Sequence, residues 1–198
     1  MNGTTLRRIS LSVTATAAGL LLAACGGGGA APTTSRPAFG AADVTFAQQM
    51  IPHHQQAVDM AALADGRAAD PEVKTLAAAI RSAQDPEIRT MKSWLAAWGK
   101  PESGGAMPGM NHGSGAHEGS GMSGMMSDQD MQDLDAAKGN GFDKKFARLM
   151  IAHHNGAIEM ARAEQKDGRN PTAKRLADEV VKNQSAEVEQ LNKILARL

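Results

Sequence analysis

The sequence predicts an all-α protein, a four-helix bundle made of two copies of one helical hairpin. Three observations predict it. A 16-residue stretch recurs 100 positions later, Phe46–Ala61 against Phe146–Ala161. Each copy carries apolar residues at three- and four-residue steps, the period of a helix buried on one face. The composition is poor in aromatics at 3%, lacks tyrosine and is rich in alanine, which favours closely packed helices over sheets.

The elements follow in order. Arg7 and Arg8 precede an apolar run from Ile9 to Ala24 that is too short to span a membrane and ends in small residues, so residues 1–24 read as an export signal. Leu22-Ala23-Ala24-Cys25 resembles the bacterial lipobox, which implies cleavage before Cys25 and its lipidation. Cys25 is the only cysteine, so no internal disulfide can form. Residues 25–42, with four glycines after the cysteine, read as a flexible tether to an envelope membrane. Residues 43–198 are long enough for one domain with a real core. Basic and acidic residues balance at 21 each, which disfavours nucleic acid as a partner.

Hairpin one, 43–99, should start near Asp43 as a capping residue, turn at Gly66, and resume at Asp70-Pro71, a cap followed by proline at the first helical position. Pro52 and Pro86 should kink or interrupt its helices. Hairpin two, 128–198, repeats the plan with Asp143, Gly168 and Asn170-Pro171, and with Ala152 and Ala186 in place of the two prolines. The correspondence extends to Leu76 with Leu176, Ile80 with Val180, Gln84 with Gln184 and Glu87 with Glu187. Between the hairpins, residues 100–127 are rich in Gly, Ser, Met and His and read as a mobile linker. Ser127 can cap a short helix with Asp130 at its third position.

Two histidine pairs carry the chemistry. Met50, His53, part of His54 and Met60 fall on the apolar face of one helix, and Met150, His153, His154 and Met160 on that of its copy. At least one histidine of each pair therefore points inward. A lone histidine there is usually a satisfied core group and a methionine usually packing. Two adjacent histidines with flanking methionines, present twice, favour a metal site. The competing reading is a structural pair that hydrogen-bonds across the bundle. Thioether and imidazole without thiolate point to copper first, Cu(I) and also Ag(I), with other metals open. Asp59 and Glu159 lie on another face and read as solvated or capping charges. In or beside the linker, Met107, Met110, His112, His117, Met122, Met125, Met126 and Met131 could wrap a soft cation at modest affinity, or be no more than biased spacer.

Met126-Ser-Asp-Gln-Asp-Met-Gln-Asp-Leu, Gly141-Phe-Asp-Lys-Lys-Phe and the doubled Met-Ile-x-His-His motif resemble the family called domain of unknown function 305. Its members include CopM-type periplasmic copper-binding proteins. The resemblance implies a ferritin-like four-helix fold, a role in copper binding or tolerance, and Met50, His53, His54, Met60 and their counterparts as ligands. The Glu-x-x-His pairs of di-iron enzymes are missing, and no nucleophile or general-base constellation is present, so an enzyme is not expected. A metal-free structural lipoprotein and a bundle holding non-covalent haem through His and Met are the alternatives. The second has no Cys-x-x-Cys-His and few aromatics to line a haem pocket.

Overall fold

The computed structural model describes residues 38–103 and 122–198. The export signal, Cys25 and the linker positions Met107, Met110, His112 and His117 lie outside the described residues. Five helices follow one another: α1 (Ala41–Ala62), α2 (Pro71–Ala97), α3 (Asp128–Ala136), α4 (Gly139–Asp167) and α5 (Pro171–Arg197). The protein is all-α among the described residues. The long helices pair as two hairpins, α1 with α2 and α4 with α5, joined mainly along α1 and α4.

Local chemistry sets the helix ends. Asp70 accepts from the backbone N–H groups of Glu72 and Val73, and Asn170 from those of Thr172 and Ala173, each just before a proline whose missing N–H costs nothing there. Gly66 takes φ +77° to turn the chain out of α1. Ser127 and Asp130 form a reciprocal capping box that starts α3.

Helices α1 and α2 run unbroken through Pro52 and Pro86, so the interruption expected at these prolines does not occur. Both prolines face solvent, where water can take up the carbonyl left without its donor, and buried neighbours on either side hold the helix together. Helix α1 starts at Ala41, near Asp43 as expected, whereas α4 starts at Gly139, a full turn ahead of Asp143. Asp43 closes a box onto Gly40 and also accepts from the N–H groups of Arg169 and Asn170 at 3.0 and 2.8 Å. Asp143 accepts from Ala69 and Asp70 at 3.2 and 3.0 Å. Each hairpin thus ties down the turn of the other, and Arg197 adds an ion pair to Asp70.

The interior is layered. One apolar cluster holds Met60, Leu76, Ile80, Phe142, Phe146 and Met150. The other holds Phe46, Met50, Ile88, Leu95, Ala157 and Val180. This pairing, the start of α1 with the end of α4 and the reverse, shows that the two helices are antiparallel. Between the clusters lies a polar layer of His53, His54, His153, His154, Gln84 and Gln184, all buried. No helix among the described residues is long and apolar enough to cross a membrane.

Candidate metal centre

Adjacent residues on a helix diverge by about 100°, yet all four histidines are fully buried. Helix α1 is covered on two sides, so His53 faces α4 while His54 faces α2; α4 repeats this toward α1 and α5. Fully buried alanines on α1 and α4, among them Ala47, Ala57, Ala147 and Ala157, let the two backbones approach closely. The rings of His53 and His153 meet with centroids 3.7 Å apart and tilted by 39°. His153 and His154 are 6.3 Å apart.

Three of the four rings have a partner on one nitrogen only. His54 Nε2 donates to Glu87 at 2.7 Å and His154 Nε2 to Glu187 at 2.7 Å. His53 Nε2 donates to the carbonyl of Ser123 at 3.2 Å. A neutral imidazole that donates from Nε2 keeps its lone pair on Nδ1. The Nδ1 atoms of all four histidines, and Nε2 of His153, have no hydrogen-bond partner. Burial, then the neighbouring His54, holds His53 down to about 4, against a smaller opposing effect of the Ser123 carbonyl. Burial, then His53 and the other imidazoles, holds His153 down to about 2. Both are neutral at physiological pH, the form that ligates metals.

An unpaired buried polar atom costs roughly 1–3 kcal/mol. A metal ion is a partner that imidazole lone pairs can satisfy in an otherwise apolar core, so the donor set fits one. Among the described residues no three His, Cys, Asp or Glu side chains are already arranged around a common point. Ligation by several imidazoles therefore requires the rings to turn about their side-chain bonds.

The methionines are distributed rather than clustered. Met50 and Met150, fully buried, sit one turn from His53 and His153 in opposite apolar clusters. Met60 and Met160 lie seven residues beyond, about 10 Å along the axis. Met50 shares its cluster with Met160, and Met60 with Met150. Thioethers thus lie in both apolar layers flanking the imidazoles, and the eight residues do not meet at one point.

The end of the linker forms a strap across α4. Ser123 presents its carbonyl to His53 and its hydroxyl donates to Glu159 at 2.7 Å. The Gln56 side chain binds both the N–H and the carbonyl of Met126, at 2.7 and 2.9 Å. Gly124 has φ +79°, and a Cβ added at Gly156 would stand 1.9 Å from the Ser123 carbonyl oxygen. Copy one has Gln56 where copy two has Gly156, so the strap can lie flat on only one of the two helices. Glu159 is thereby a strap contact rather than only a solvated charge. Met122, Met125 and Met126 are half-buried in the strap. A cavity of ≈ 450 Å³ opens between the start of α1, the end of α4 and the strap, lined by Phe46, Gln49, Met122, Ser123, Met160 and Glu164 among others and by none of the four histidines.

The sequence pairs Glu87 with Glu187 only as repeat counterparts, and it assigns neither of them nor Ser123 to the site. The repeat did carry a signal for the first two, since Glu87 and Glu187 each follow their histidine by 33 residues.

The family model described as Domain of unknown function (DUF305) matches residues 43–195. The chain belongs to the DUF305 family. Among solved DUF305 proteins, one from Streptomyces coelicolor that is predicted to be secreted is 32% identical, with 79% of this chain and 93% of that chain covered and a TM-score of 0.70. A DUF305 fragment from Deinococcus radiodurans is 32% identical, with 80% and 98% covered and a TM-score of 0.67. CopM in its Cu(II)-bound form is 36% identical, with 78% and 96% covered and a TM-score of 0.65; CopM also has solved Cu(I)-bound and Ag-bound forms. No curated protein matches the chain.

Proposed function

We propose that this DUF305 protein is an envelope-anchored lipoprotein that binds copper for sequestration or tolerance. The observation that carries the reading is the set of five unpartnered ring nitrogens on four buried imidazoles at the centre of the bundle. Imidazole suits copper in either oxidation state, and the thioethers of Met50, Met60, Met150 and Met160 suit Cu(I) and Ag(I). The likeness to CopM, solved with Cu(II), Cu(I) and silver, supports the same cargo. Met107, Met110, His112, His117, Met122, Met125 and Met126 would form a weaker outer set that captures Cu(I) before it reaches the core. Lipidation at Cys25 would hold the protein at the extracytoplasmic face of the membrane.

The test is a copper titration of residues 26–198 against a chromophoric competitor, with Cu(II) in air and Cu(I) under anaerobic conditions. A form lacking 104–121 and a His53, His54, His153, His154→Ala form run alongside. The tightest site should disappear in the histidine-free protein and persist without the linker. Tight binding that survives loss of all four histidines would sink the reading.

A further inference from the structure

A copper dication in this core poses an electrostatic problem that a monovalent ion poses far less. The four imidazoles are neutral ligands, and thioethers are neutral too. Burying an uncompensated charge among apolar clusters is costly, and the cost rises steeply with charge. The nearest sources of compensation are Glu87 on α2 and Glu187 on α5. Each carboxylate sits one hydrogen bond behind a ring, 2.7 Å from Nε2 of His54 or His154. Their side chains are 18% and 19% exposed, so most of their field is directed through protein. Each also fixes the tautomer whose free lone pair, on Nδ1, is buried without a partner. A carboxylate behind a ligating imidazole raises its basicity as well as orienting it.

We infer that Glu87 and Glu187 are positioning residues that set the charge preference of the histidine centre, making the bundle core a divalent-copper site. Two carboxylates, one behind each outer imidazole, balance the two positive charges of Cu(II). Cu(I) and Ag(I) leave one carboxylate in excess there and are better served by the uncharged thioethers. The inference rests on the copper reading above and adds which oxidation state the imidazoles select.

Among the described residues, nothing else hydrogen-bonded to the two rings supplies this charge. Gln84 and Gln184, one turn before each glutamate, are buried neutral amides with unpartnered atoms. Glu159, nearest on the strap side, is exposed and bonded to Ser123. The arrangement is present in both repeats at the same spacing, so a single change removes half of it.

The experiment compares Glu87→Gln, Glu187→Gln and the double variant with the unaltered protein. Glutamine keeps shape and can still accept from Nε2, but carries no charge. Affinities for Cu(II) and for Ag(I), the air-stable monovalent probe, are measured by competition, and the tautomers of His54 and His154 by ¹⁵N NMR of the metal-free protein. The expected result is a loss of Cu(II) affinity of about tenfold per glutamate, with Ag(I) affinity changed less than threefold. The rings should stay in the Nε2–H form in the single variants. Equal losses for both ions would show that the glutamates only hold the rings, and would overturn the inference while leaving the copper reading intact. Unchanged Cu(II) affinity would overturn it as well. If the unaltered protein binds neither ion, the copper reading itself falls.

Discussion

Glu164 puts a buried carboxyl into the second repeat where the first has Ala64. Its side chain is buried with both carboxyl oxygens unpartnered, and burial together with the nearby Asp43 carboxylate pushes its pKa up to about 8. Asp43 moves the other way. Burial alone would raise it, but the N–H groups of Asn170, Gly40 and Arg169, with the Glu164 carboxyl beside it, together lower it. Because the folded pKa of Glu164 lies above its unfolded value, the folded state binds more protons between about pH 4.5 and 8. The stability this proton gives is complete below that window and drains away as pH rises through it. We therefore expect Glu164→Gln, which keeps the shape and removes the titrating group, to raise the melting temperature by roughly 5 °C at pH 8 and to leave it nearly unchanged at pH 4.5. Thermal melts at the two pH values check this; an equal shift at both would mean that Glu164 is ionised in the fold.

At the scale of the element, the strap shows how one side chain decides where a segment lies. Alanine in a helix interior is worth roughly 1 kcal/mol more than glycine, so Gly156→Ala would stabilise α4 were nothing packed on it. With the strap present, the new Cβ lands on the Ser123 carbonyl. The expected outcome is a strap lifted off an intact α4: residues 122–126 lose protection in hydrogen–deuterium exchange while global melting changes little. Unaltered protection would show that the strap adapts. The helices themselves were legible because their signals are local, as at Asp70-Pro71 and Asn170-Pro171. The burial of both histidines in each pair was only half legible, because one helix's pattern does not reveal that α1 is covered on two sides. Glu87 and Glu187 were legible as a repeated pair but not as partners of the rings, which they reach from other helices across 33 residues. The prolines misled because their cost depends on which side faces water.

Across the whole molecule, the hairpins are joined by apolar contact along α1 and α4 and by the exchanged carboxylates Asp43 and Asp143. Each carboxylate accepts backbone N–H groups of the opposite turn. Charge-assisted hydrogen bonds of this kind contribute about 1.5–3 kcal/mol. Asp143→Ala should lower unfolding free energy by about 2–3 kcal/mol, as read from urea denaturation. Asp43→Ala should cost less at pH 8, because it also relieves Glu164 of its charged neighbour. Equal losses would argue against the carboxyl pair.

A perfect duplicate folded about a twofold axis would have no front and no back. The replacement of Gln56 by Gly156 in the second copy gives this one both. On the front, the chain that ends the methionine- and histidine-bearing segment is laid against His53. On the back, two partly exposed glutamates stand behind the outer imidazoles. On the copper function proposed above, traffic through the centre would acquire a direction, with soft, uncharged sulfur on the arriving side and fixed negative charge on the side that retains.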